Sequence, residues 1–359
     1  MDWTYNVPVK FCEYDLNEFK NRLNTLKGNI LLIASKRVIE TFEIDTQNFT
    51  LIDKSINNPD IHLVGKVLKN LEKPDLIVAV GGGSTIDIAK AISALYDYRH
   101  GDVLTLISEK KYLDNENHIP IIAVPTTAGT GSECTKWATI WDFDNLKKYS
   151  VDVDYLYPKE AWLIAELTQT MNYEQTLSTG LDALSHAMES YWSRPSNRYT
   201  RVLARDSIRI IAKYLPLVLD DLNNTEYRHQ MMMGSFFAGL AFSNTRTTAS
   251  HSISYPLTMK YNVGHGYAVA VTLFEVMRRN WPYIKEKDEF LKAWAVESVD
   301  GISEWFRNIT KGEITLEKFG IKKEDIADIV KLATTGGRMD NNPVVFDEDE
   351  IRDILESVY

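Results

Sequence analysis

The chain has few cysteines, no membrane-length apolar run and no excess of positive charge. Cys12 and Cys134 are the only cysteines among 359 residues, too few for a disulfide framework and too far apart for a zinc ribbon. No apolar run approaches the length that spans a membrane, and the N-terminal segment lacks the basic and apolar regions of a secretory signal. The net charge of -10 argues against nucleic acid or an anionic membrane as the main partner. We therefore expect a soluble cytoplasmic protein without a nucleic-acid or membrane partner.

The length of the chain and the order of its apolar segments predict two domains. Four short apolar runs, separated by helix-like segments, predict buried strands at 29–35, 49–53, 75–84 and 119–127. Such alternation is typical of a parallel sheet with helices on both faces. After about residue 160 the apolar spacing becomes helical. We therefore expect an α/β domain over residues 1–160 and an all-helical domain over residues 161–359.

The stretch VAVGGGSTIDIAK, at 78–90, reads as a strand, three glycines and the start of a helix. Glycines let backbone N–H groups approach a phosphate, and a helix N-terminus adds partial positive charge. This pattern predicts a phosphate site at Gly82, Gly83 and Ser84. The alternative is a tight strand–helix turn, with Ser84 as the N-cap and Asp87 as its capping-box partner.

A second loop of small residues, PTTAGTGSE at 125–133, follows the fourth predicted strand. Thr126, Thr127 and Thr130 offer hydroxyl groups there, and the glycines between them allow close backbone approach. Open α/β sheets bind nucleotides at the carboxyl ends of neighbouring strands. The two loops together therefore predict a nucleotide site better than either loop alone.

One carboxylate and three imidazoles form a candidate metal site. Asp182 and His186 lie four residues apart in the helical segment TGLDALSHAMES, so both side chains share one helix face. His251 and His265 open and close the segment HSISYPLTMKYNVGH. Such a set suits Fe2+, Zn2+ or a similar divalent ion. The alternative for the first two residues is an Asp–His pair on the surface of a capped helix.

Four motifs together resemble a known enzyme family. GGGSTIDIAK, PTTAGTGSE, GLDALSHAMES and HSISYPLTMKYNVGHG resemble, in order and approximate spacing, the iron-containing (group III) alcohol dehydrogenases. The resemblance implies a Rossmann-like dinucleotide-binding α/β domain followed by an all-α metal-binding domain. It also implies an NAD(P)H-dependent oxidoreductase that acts with one divalent metal, Fe2+ before Zn2+, and that forms a homodimer.

The resemblance assigns residues by motif. The metal ligands would be Asp182, His186, His251 and His265. The cofactor pyrophosphate would lie on Gly82, Gly83 and Ser84. The rest of the cofactor site would be lined by Asp87, Thr126, Thr127, Thr130 and Lys148.

The sequence departs from the family pattern next to the third ligand position. Many members have another histidine four residues after it, thought to relay protons near the nicotinamide, whereas this chain has Tyr255. A tyrosine hydroxyl can donate a hydrogen bond, but its ordinary pKa near 10 makes it a weaker base at neutral pH. We expect the proton to come from water guided by Tyr255, with Tyr255 and His265 as the catalytic side chains.

A second departure concerns the adenosine ribose. Members that prefer NAD often carry an acid at the end of the first buried strand, where this chain has Ser35, Lys36 and Arg37. Without a carboxylate, and with two cations available to a 2′-phosphate, this segment predicts that NADPH is tolerated. The alternative is that Lys36 and Arg37 begin a solvated helix.

The segment NTRTTASHSISYPLT resembles the branch that reduces phosphonoacetaldehyde to 2-hydroxyethylphosphonate. Arg246 lies in this small and apolar segment, five residues before a candidate ligand. We expect Arg246 to be a buried charge that needs an anionic or carbonyl partner, because an unpaired one would be very unfavourable, and a phosphonate would pair with its guanidinium. Arg338, in TTGGRMDNNP, would supply a second contact. The alternative is that Arg246 pairs with a protein carboxylate and Arg338 caps a helix.

Three other functions stay open from the sequence. The first is a general dehydrogenase of short alcohols or diols in the same family, for which Arg246 would have no substrate partner. The second is a sugar-phosphate cyclase related to dehydroquinate synthase, although the glutamate-based ligands and lysine-rich pocket of that enzyme are not found here. The third is a non-catalytic paralogue, against which four candidate ligands and two complete loops argue.

Overall fold

The computed structural model describes residues 6–53, 59–145, 147–333 and 338–359, which divide into two compact units. The sheet unit runs from Val7 to Asn172, and the helical unit comprises Tyr173–Tyr359 together with Asn6. Asn6 belongs there because its backbone N–H donates to the Asn244 side chain at 3.3 Å. The division follows residue 172 rather than residue 160, because a strand at 160–163 pairs within the sheet of the first unit.

The sheet unit is built on six parallel strands in the order β1-β8-β5-β4-β2-β3, and β6 and β7 form an antiparallel pair. The apolar runs at the four predicted positions are β2 to β5. The strands are β1 (Lys10–Glu13), β2 (Ile30–Ala34), β3 (Thr50–Asp53), β4 (Leu76–Gly81), β5 (Ile121–Pro125), β6 (Trp137–Asp142), β7 (Lys147–Asp152) and β8 (Glu160–Leu163).

Helices cover both faces of this sheet because successive side chains of a strand point to opposite faces. Leu31 and Ile33 of β2 pack with α3, α4 and α5, whereas Ile30 and Leu32 pack with α1 and α2. The helices are α1 (Leu16–Asn24), α2 (Lys36–Thr41), α3 (Ile61–Lys69), α4 (Gly83–Leu95) and α5 (Val103–Ser108).

The helical unit contains no strand in its described residues, and none of the described helices is long and apolar enough to cross a membrane. α6, α7 and α8 pack against one another, and α10 packs against α6 and α9. The predicted fold class is therefore confirmed. The helices are α6 (Tyr173–Trp192), α7 (Arg198–Asp220), α8 (Thr225–Thr245), α9 (Ala249–Tyr261), α10 (His265–Asn280), α11 (Lys287–Trp294), α12 (Val299–Thr310), α13 (Ile326–Ala333) and α14 (Glu348–Ser357).

Candidate metal centre and nucleotide-binding edge

Three helices of the helical unit bring one carboxylate and three imidazoles together. Asp182 and His186 lie one turn apart on α6, His251 is the third residue of α9, and His265 is the first residue of α10. Asp182 Oδ1 lies 3.6 Å from His251 Nε2 and 3.7 Å from His265 Nε2. It lies 3.9 Å from His186 Nδ1. We call these four residues the Asp–His cluster.

Close approach of α10 to α6 depends on a glycine. A Cβ atom on Gly266 would lie only 1.9 Å from the backbone oxygen of Ser178. Only glycine therefore allows α10 to begin where the imidazole of the preceding His265 lies near Asp182. The ring of His186 is held on the other side by stacking on Phe242, with 4.1 Å between ring centroids.

The chemistry of the cluster fits a divalent metal. Asp182 Oδ1 and His251 Nε2 are buried and make no hydrogen bond, and the distances among the cluster residues are too long for one. A buried carboxylate oxygen without a partner is unfavourable unless a cation binds it. Candidate ligand atoms of Asp182, His186 and His251 all lie within 4.8 Å of one another. Carboxylate and imidazole groups are the ligands that Zn2+ and Fe2+ take in proteins.

The cluster is open on one side only. The side chain of His265 is 34% exposed, whereas those of Asp182, His186 and His251 are at most 7% exposed. Burial would raise the pKa of the Asp182 carboxyl, but the three neighbouring imidazoles outweigh burial and hold that pKa below its ordinary value. Asp182 is therefore an anion at neutral pH, as a metal ligand must be.

A fifth residue supports the cluster and was missed by sequence reasoning. Glu189 lies on α6, fully buried, and its Oε2 is 2.5 Å from His251 Nδ1. Residues 182, 186 and 189 follow the i, i+4, i+7 spacing of one helix face. That spacing could have indicated that Glu189 faces the same site.

In the sheet unit, two loops meet at the carboxyl edge of the sheet. We call residues 81–84 the glycine loop and residues 125–133 the threonine loop. α4 begins at Gly83, and its N-cap is Gly82, which makes no side-chain capping bond. The alternative with Ser84 as the N-cap is therefore wrong. A Cβ atom on Gly83 would lie 2.5 Å from Thr130 Oγ1, and one on Gly82 would lie 3.2 Å from a Thr127 methyl group. Glycine at these two positions therefore allows the threonine loop to pack directly against the start of α4, and the Thr126 N–H donates to Gly81 O at 3.0 Å beside it.

Asp87 contacts the threonine loop rather than a capping partner. Its carboxylate accepts hydrogen bonds from Ser132 Oγ at 2.7 Å and from the Thr139 N–H at 2.9 Å. Burial raises the pKa of Asp87, and the nearby positive charges of Lys90 and Lys148 oppose this shift. Asp87 therefore ties α4 to the loop and to β6.

Two lysines lie next to this edge. Lys148, on β7, lies with its Nζ 5.0 Å from the centre of the Trp141 ring. Lys90, which sequence reasoning missed, is fully buried and donates to Ser132 O at 2.7 Å and to Thr135 Oγ1 and Trp137 O at 3.0 Å. Burial lowers the pKa of Lys90 to about 8. Its ammonium group holds the threonine loop in place.

The expectation that no carboxylate lies at the end of the first buried strand, β2, is wrong. Ser35 is the N-cap of α2 and accepts a hydrogen bond from the Val38 N–H at 3.3 Å. The Lys36 N–H donates to the carboxylate of Asp53, at the end of β3, at 2.8 Å. A carboxylate does therefore lie beside the end of β2, contrary to what the segment 33–38 alone indicated.

The two cations of this segment already have protein partners. Lys36 Nζ lies 3.6 Å from Glu40 Oε1, one turn along α2. Arg37 Nη2 donates to the backbone oxygen of Thr170 at 2.7 Å. Both side chains would have to leave these partners to bind a 2′-phosphate.

Arg246 is exposed, so the prediction that it is a buried charge is wrong. It follows α8 as the C-cap residue, where the flanking segment is buried but its own side chain is not. Its backbone has φ 59° and ψ 179°, a region that is essentially restricted to glycine and costs about 1–3 kcal/mol for other residues. Backbone strain of this kind clusters at active sites and ligand-binding segments, which makes Arg246 a candidate functional residue.

Arg338 lies near Arg246. Ser193 Oγ donates to Thr245 O at 3.0 Å and to Asn341 O at 3.5 Å, which ties the segment after α8 to the turn that begins at Arg338. Burial lowers the pKa of the Arg338 guanidinium; the negative charge of Glu189 opposes this shift, and the like charge of Arg246 adds to it. We call Arg246 and Arg338 the arginine pair.

Tyr255 lies one turn after His251 on α9 and is partly buried. Its hydroxyl is near enough to Arg338 to act on the pKa of that residue. The position expected for the proton-relay histidine therefore carries a phenol, one turn from the cluster residue His251 and near Arg338.

Comparison with known proteins agrees with this geometry. The model for iron-containing alcohol dehydrogenase matches residues 8–164, and the model for the C-terminal part of the Fe-containing alcohol dehydrogenase family matches residues 176–359. The chain is 31% identical to a choline dehydrogenase of Bacillus subtilis, over 90% of this chain and 81% of that protein. It is 34% identical to a phosphonoacetaldehyde reductase of Streptomyces viridochromogenes, over 58% of this chain and 54% of that protein.

A solved structure extends the likeness over the whole chain. The crystal structure of sulfoacetaldehyde reductase from Bifidobacterium kashiwanohense in complex with NAD+ has a TM-score of 0.90 and 27% identity, and covers 100% of this chain and 99% of that one. The two family models together span nearly all described residues of both units. The chain is therefore an enzyme of the iron-containing alcohol dehydrogenase family, an oxidoreductase that interconverts alcohols and aldehydes with a nicotinamide dinucleotide and a metal.

Proposed function

We propose that this enzyme reduces a small anionic aldehyde, phosphonoacetaldehyde, to 2-hydroxyethylphosphonate with NADH. The observation that carries the proposal is the arginine pair. Two guanidinium groups lie near enough for one to lower the pKa of the other, and one of them is held on a backbone conformation unfavourable for arginine. The like charges of Arg246 and Arg338 repel each other, whereas an anion bound between them would attract both.

The charge of a phosphonate suits this pair. A phosphonate can carry up to two negative charges and presents three oxygen atoms, so that each guanidinium can donate to it. Arg246 is exposed and can meet an incoming anion, whereas Arg338 is partly buried. An uncharged aldehyde would leave both arginines without this interaction, which makes a general alcohol dehydrogenase the weaker proposal.

The residues near the reacting carbonyl have distinct roles. When bound, the nicotinamide supplies the hydride and the metal supplies a Lewis acid for the carbonyl oxygen. Asp182, His186, His251 and His265 would hold the metal, and His265 is the most exposed side chain of the four. The hydroxyl of Tyr255, one turn from His251, guides a proton from water to the alkoxide oxygen.

A sulfonate aldehyde is the second candidate. The likeness over the full chain to a sulfoacetaldehyde reductase, with a TM-score of 0.90, supports it. A sulfonate carries one negative charge and a phosphonate up to two, so the two substrates differ in how much they need the second arginine. Loss of Arg338 is therefore expected to reduce the rate with phosphonoacetaldehyde more than the rate with sulfoacetaldehyde.

The test is the oxidation of NADH by the metal-loaded enzyme with phosphonoacetaldehyde, sulfoacetaldehyde and propanal. We expect kcat/KM to fall by roughly 10- to 100-fold in Arg246→Ala with the anionic substrates, as for a lost hydrogen bond to a charged group, and to stay unchanged with propanal. Arg209→Ala, an exposed arginine on α7 paired with Asp206, is the matched control. Equal kcat/KM for propanal and both anions in the wild type would refute an anionic substrate.

A second variant separates the role of the side chain from that of the backbone. Arg246→Gly removes the guanidinium and also relieves the strain at φ 59°, because glycine adopts this conformation without cost. We expect Arg246→Gly to raise the melting temperature while it loses activity with the anionic aldehydes. An unchanged rate with phosphonoacetaldehyde would show that strain at Arg246 has another origin.

A further inference from the structure

Glu189 joins two helices of the helical unit through five hydrogen bonds. Its Oε1 accepts from Thr248 Oγ1 at 2.9 Å, from the Ser250 N–H at 2.7 Å and from the His251 N–H at 3.3 Å. Its Oε2 accepts from the Thr248 N–H at 3.0 Å and faces His251 Nδ1 at 2.5 Å. Glu189 is fully buried and lies on α6, whereas all of these donors belong to the start of α9.

Part of this arrangement is a helix cap supplied from another helix. Thr248 is the N-cap of α9 but makes no side-chain capping bond of its own. The carboxylate of Glu189 instead accepts the N–H groups of Thr248, Ser250 and His251. A carboxylate is favourable at a helix N-terminus, and its bonds to these N–H groups are charge-assisted. The position of the His251 backbone is thereby set relative to α6.

The remaining bond determines which nitrogen of His251 carries the proton. With Nδ1–H donated to Glu189, the lone pair of the neutral imidazole lies on Nε2. That atom is buried, makes no hydrogen bond, and lies 3.6 Å from Asp182 Oδ1. Asp182, His186 and Glu189 come from the same helix, so α6 supplies both metal-binding atoms and the group that orients the imidazole opposite them.

We propose that Glu189 is the positioning residue of the metal centre. It holds the ring of His251 in the tautomer and orientation that present Nε2 to the ion. The proposal rests on the metal assignment of the proposed function and adds a residue that does not touch the metal. Carboxylates that orient a ligating histidine commonly contribute 10- to 100-fold in metal affinity.

Glu189→Gln tests this role because it keeps the shape of the side chain. One carboxylate oxygen becomes an NH2 group, which cannot accept from His251 Nδ1 and would instead favour the tautomer with the proton on Nε2. The matched control is Thr248→Val, which removes the hydroxyl bond to Glu189 but keeps the contact with His251. Both variants weaken the cap, so both are expected to lower the melting temperature of the metal-free protein.

The measurement is the dissociation constant for Zn2+, obtained by competition with a chelator for the full-length wild type and both variants. We expect Glu189→Gln to weaken Zn2+ binding roughly 10- to 100-fold and Thr248→Val to change it by less than about 3-fold. A folded Glu189→Gln protein with wild-type affinity would overturn the proposal. A wild type that binds no Zn2+ or Fe2+ would instead refute the metal assignment itself.

A second measurement needs no variant. In Zn2+-loaded wild type labelled with 15N-histidine, the shift of Nδ1 in His251 should be that of a protonated ring nitrogen, with Nε2 bound to the metal. A protonated Nε2, or Nδ1 as the metal-bound atom, would overturn the proposal even if Glu189→Gln does not fold.

Discussion

The Lys90–Asp87 arrangement of the sheet unit and the Asp–His cluster of the helical unit differ in how their ionisable groups are satisfied. In the sheet unit, the Lys90 ammonium lies within hydrogen-bond distance of four oxygen atoms, which belong to Ser132, Thr135 and Trp137, and Asp87 accepts from a hydroxyl and an N–H. In the helical unit, Asp182 Oδ1 and His251 Nε2 are equally buried but have no hydrogen-bond partner. Both arrangements put ionisable groups out of water, yet only the first is complete within the protein.

The difference separates structural charge from ligand-binding charge. A buried ion whose hydrogen bonds are all made by the protein stabilises one local conformation. A buried ion without such a partner is stable only if something else binds it. On this basis Lys90 and Asp87 stabilise the candidate nucleotide edge, whereas the Asp–His cluster has the properties of a cation site. Each of the following predictions concerns a change in one of these two regions.

Removal of the metal should have the largest effect. Chelation followed by dialysis is expected to reduce turnover roughly 1,000-fold or more, because a Lewis acid contributes several kcal/mol to such a reaction, and reloading with Fe2+ or Zn2+ should restore it. His265→Ala should lose bound metal and activity together, measured by metal content and NADH oxidation. His62→Ala, an exposed histidine paired with Asp144, is the control. A metal-free enzyme with full activity would contradict the assignment.

The sequence predicted the central strands because each is a continuous apolar run. β2 to β5 lie within the predicted segments, and β2, β4 and β5 are mostly buried. β3 lies at the edge of the sheet and is mostly exposed, so the prediction that the strand at 49–53 is buried is wrong. β1 and β8 were missed because KFCE and EAWL are four residues long and contain polar side chains. Lys10 pairs with Glu160, a contact between distant parts of the chain that no local pattern indicates.

In the candidate site, too, local sequence patterns predict motifs but not contacts between distant parts of the chain. The four residues of the Asp–His cluster could be predicted because they lie in recognisable motifs. The partners of Lys90 and Asp53 could not, because they depend on how loops fold back onto helices. The burial of Arg246 was predicted from its apolar neighbours, and this failed because a C-cap residue can turn outward while the residues around it are buried.

Replacement of Lys90 tests the arrangement in which the protein itself makes all the hydrogen bonds of a buried charge. Lys90→Met keeps an unbranched apolar side chain but removes the ammonium group, which leaves Asp87 and the loop oxygen atoms without their cation. We expect the free energy of unfolding to fall by roughly 3–5 kcal/mol, as for a broken buried ion pair, and the affinity for Zn2+ to stay unchanged. Chemical denaturation and chelator competition measure the two quantities. A variant that loses metal affinity as well would show that the two arrangements are not independent.

The pH dependence of stability, compared between the wild type and Lys90→Met, shows whether folding favours or disfavours the charged form of Lys90. Burial lowers the folded pKa to about 8, whereas the unfolded value is near 10.4. Between these values the unfolded chain holds the proton more often, so the stability of the wild type relative to Lys90→Met should rise with pH. The rise should be about 1–3 kcal/mol between about pH 7.5 and about pH 10. A flat or falling difference would mean that Lys90 stays protonated in the folded protein.

Gly266→Ala tests the Asp–His cluster, in which two buried atoms make no hydrogen bond. Its Cβ would lie 1.9 Å from Ser178 O, so α10 must move away from α6 and carry His265 with it. We expect the free energy of unfolding to fall by about 1–3 kcal/mol. We also expect Zn2+ to bind more weakly, because a metal site binds well only when its ligand distances stay within about 0.2 Å of the ideal values. The control is Gly264→Ala, where the nearest atom, in Tyr267, would be 3.7 Å away. Equal metal affinity in both variants would contradict this role of Gly266.

The smallest effect should come from the ribose end of the nucleotide edge. Asp53 lies beside β2, which in turn lies beside β4, the strand that leads into the glycine loop. A dinucleotide with its pyrophosphate on that loop would bring its ribose near these strand ends. We therefore expect the wild type to prefer NADH over NADPH, because the Asp53 carboxylate would repel a 2′-phosphate and Lys36 and Arg37 are already engaged.

Asp53→Asn keeps an oxygen that can accept the Lys36 N–H and removes only the charge. It should raise kcat/KM for NADPH by roughly 5-fold, since a charge at this distance in partly screened surroundings acts with about 1 kcal/mol, while kcat/KM for NADH stays the same. The increase should shrink at high ionic strength, because the effect is electrostatic. If Asp53→Asn instead lowers the rate with both cofactors equally, Asp53 only shapes the start of α2. The edge would then resemble the Lys90 arrangement, a charge whose partners all belong to the protein.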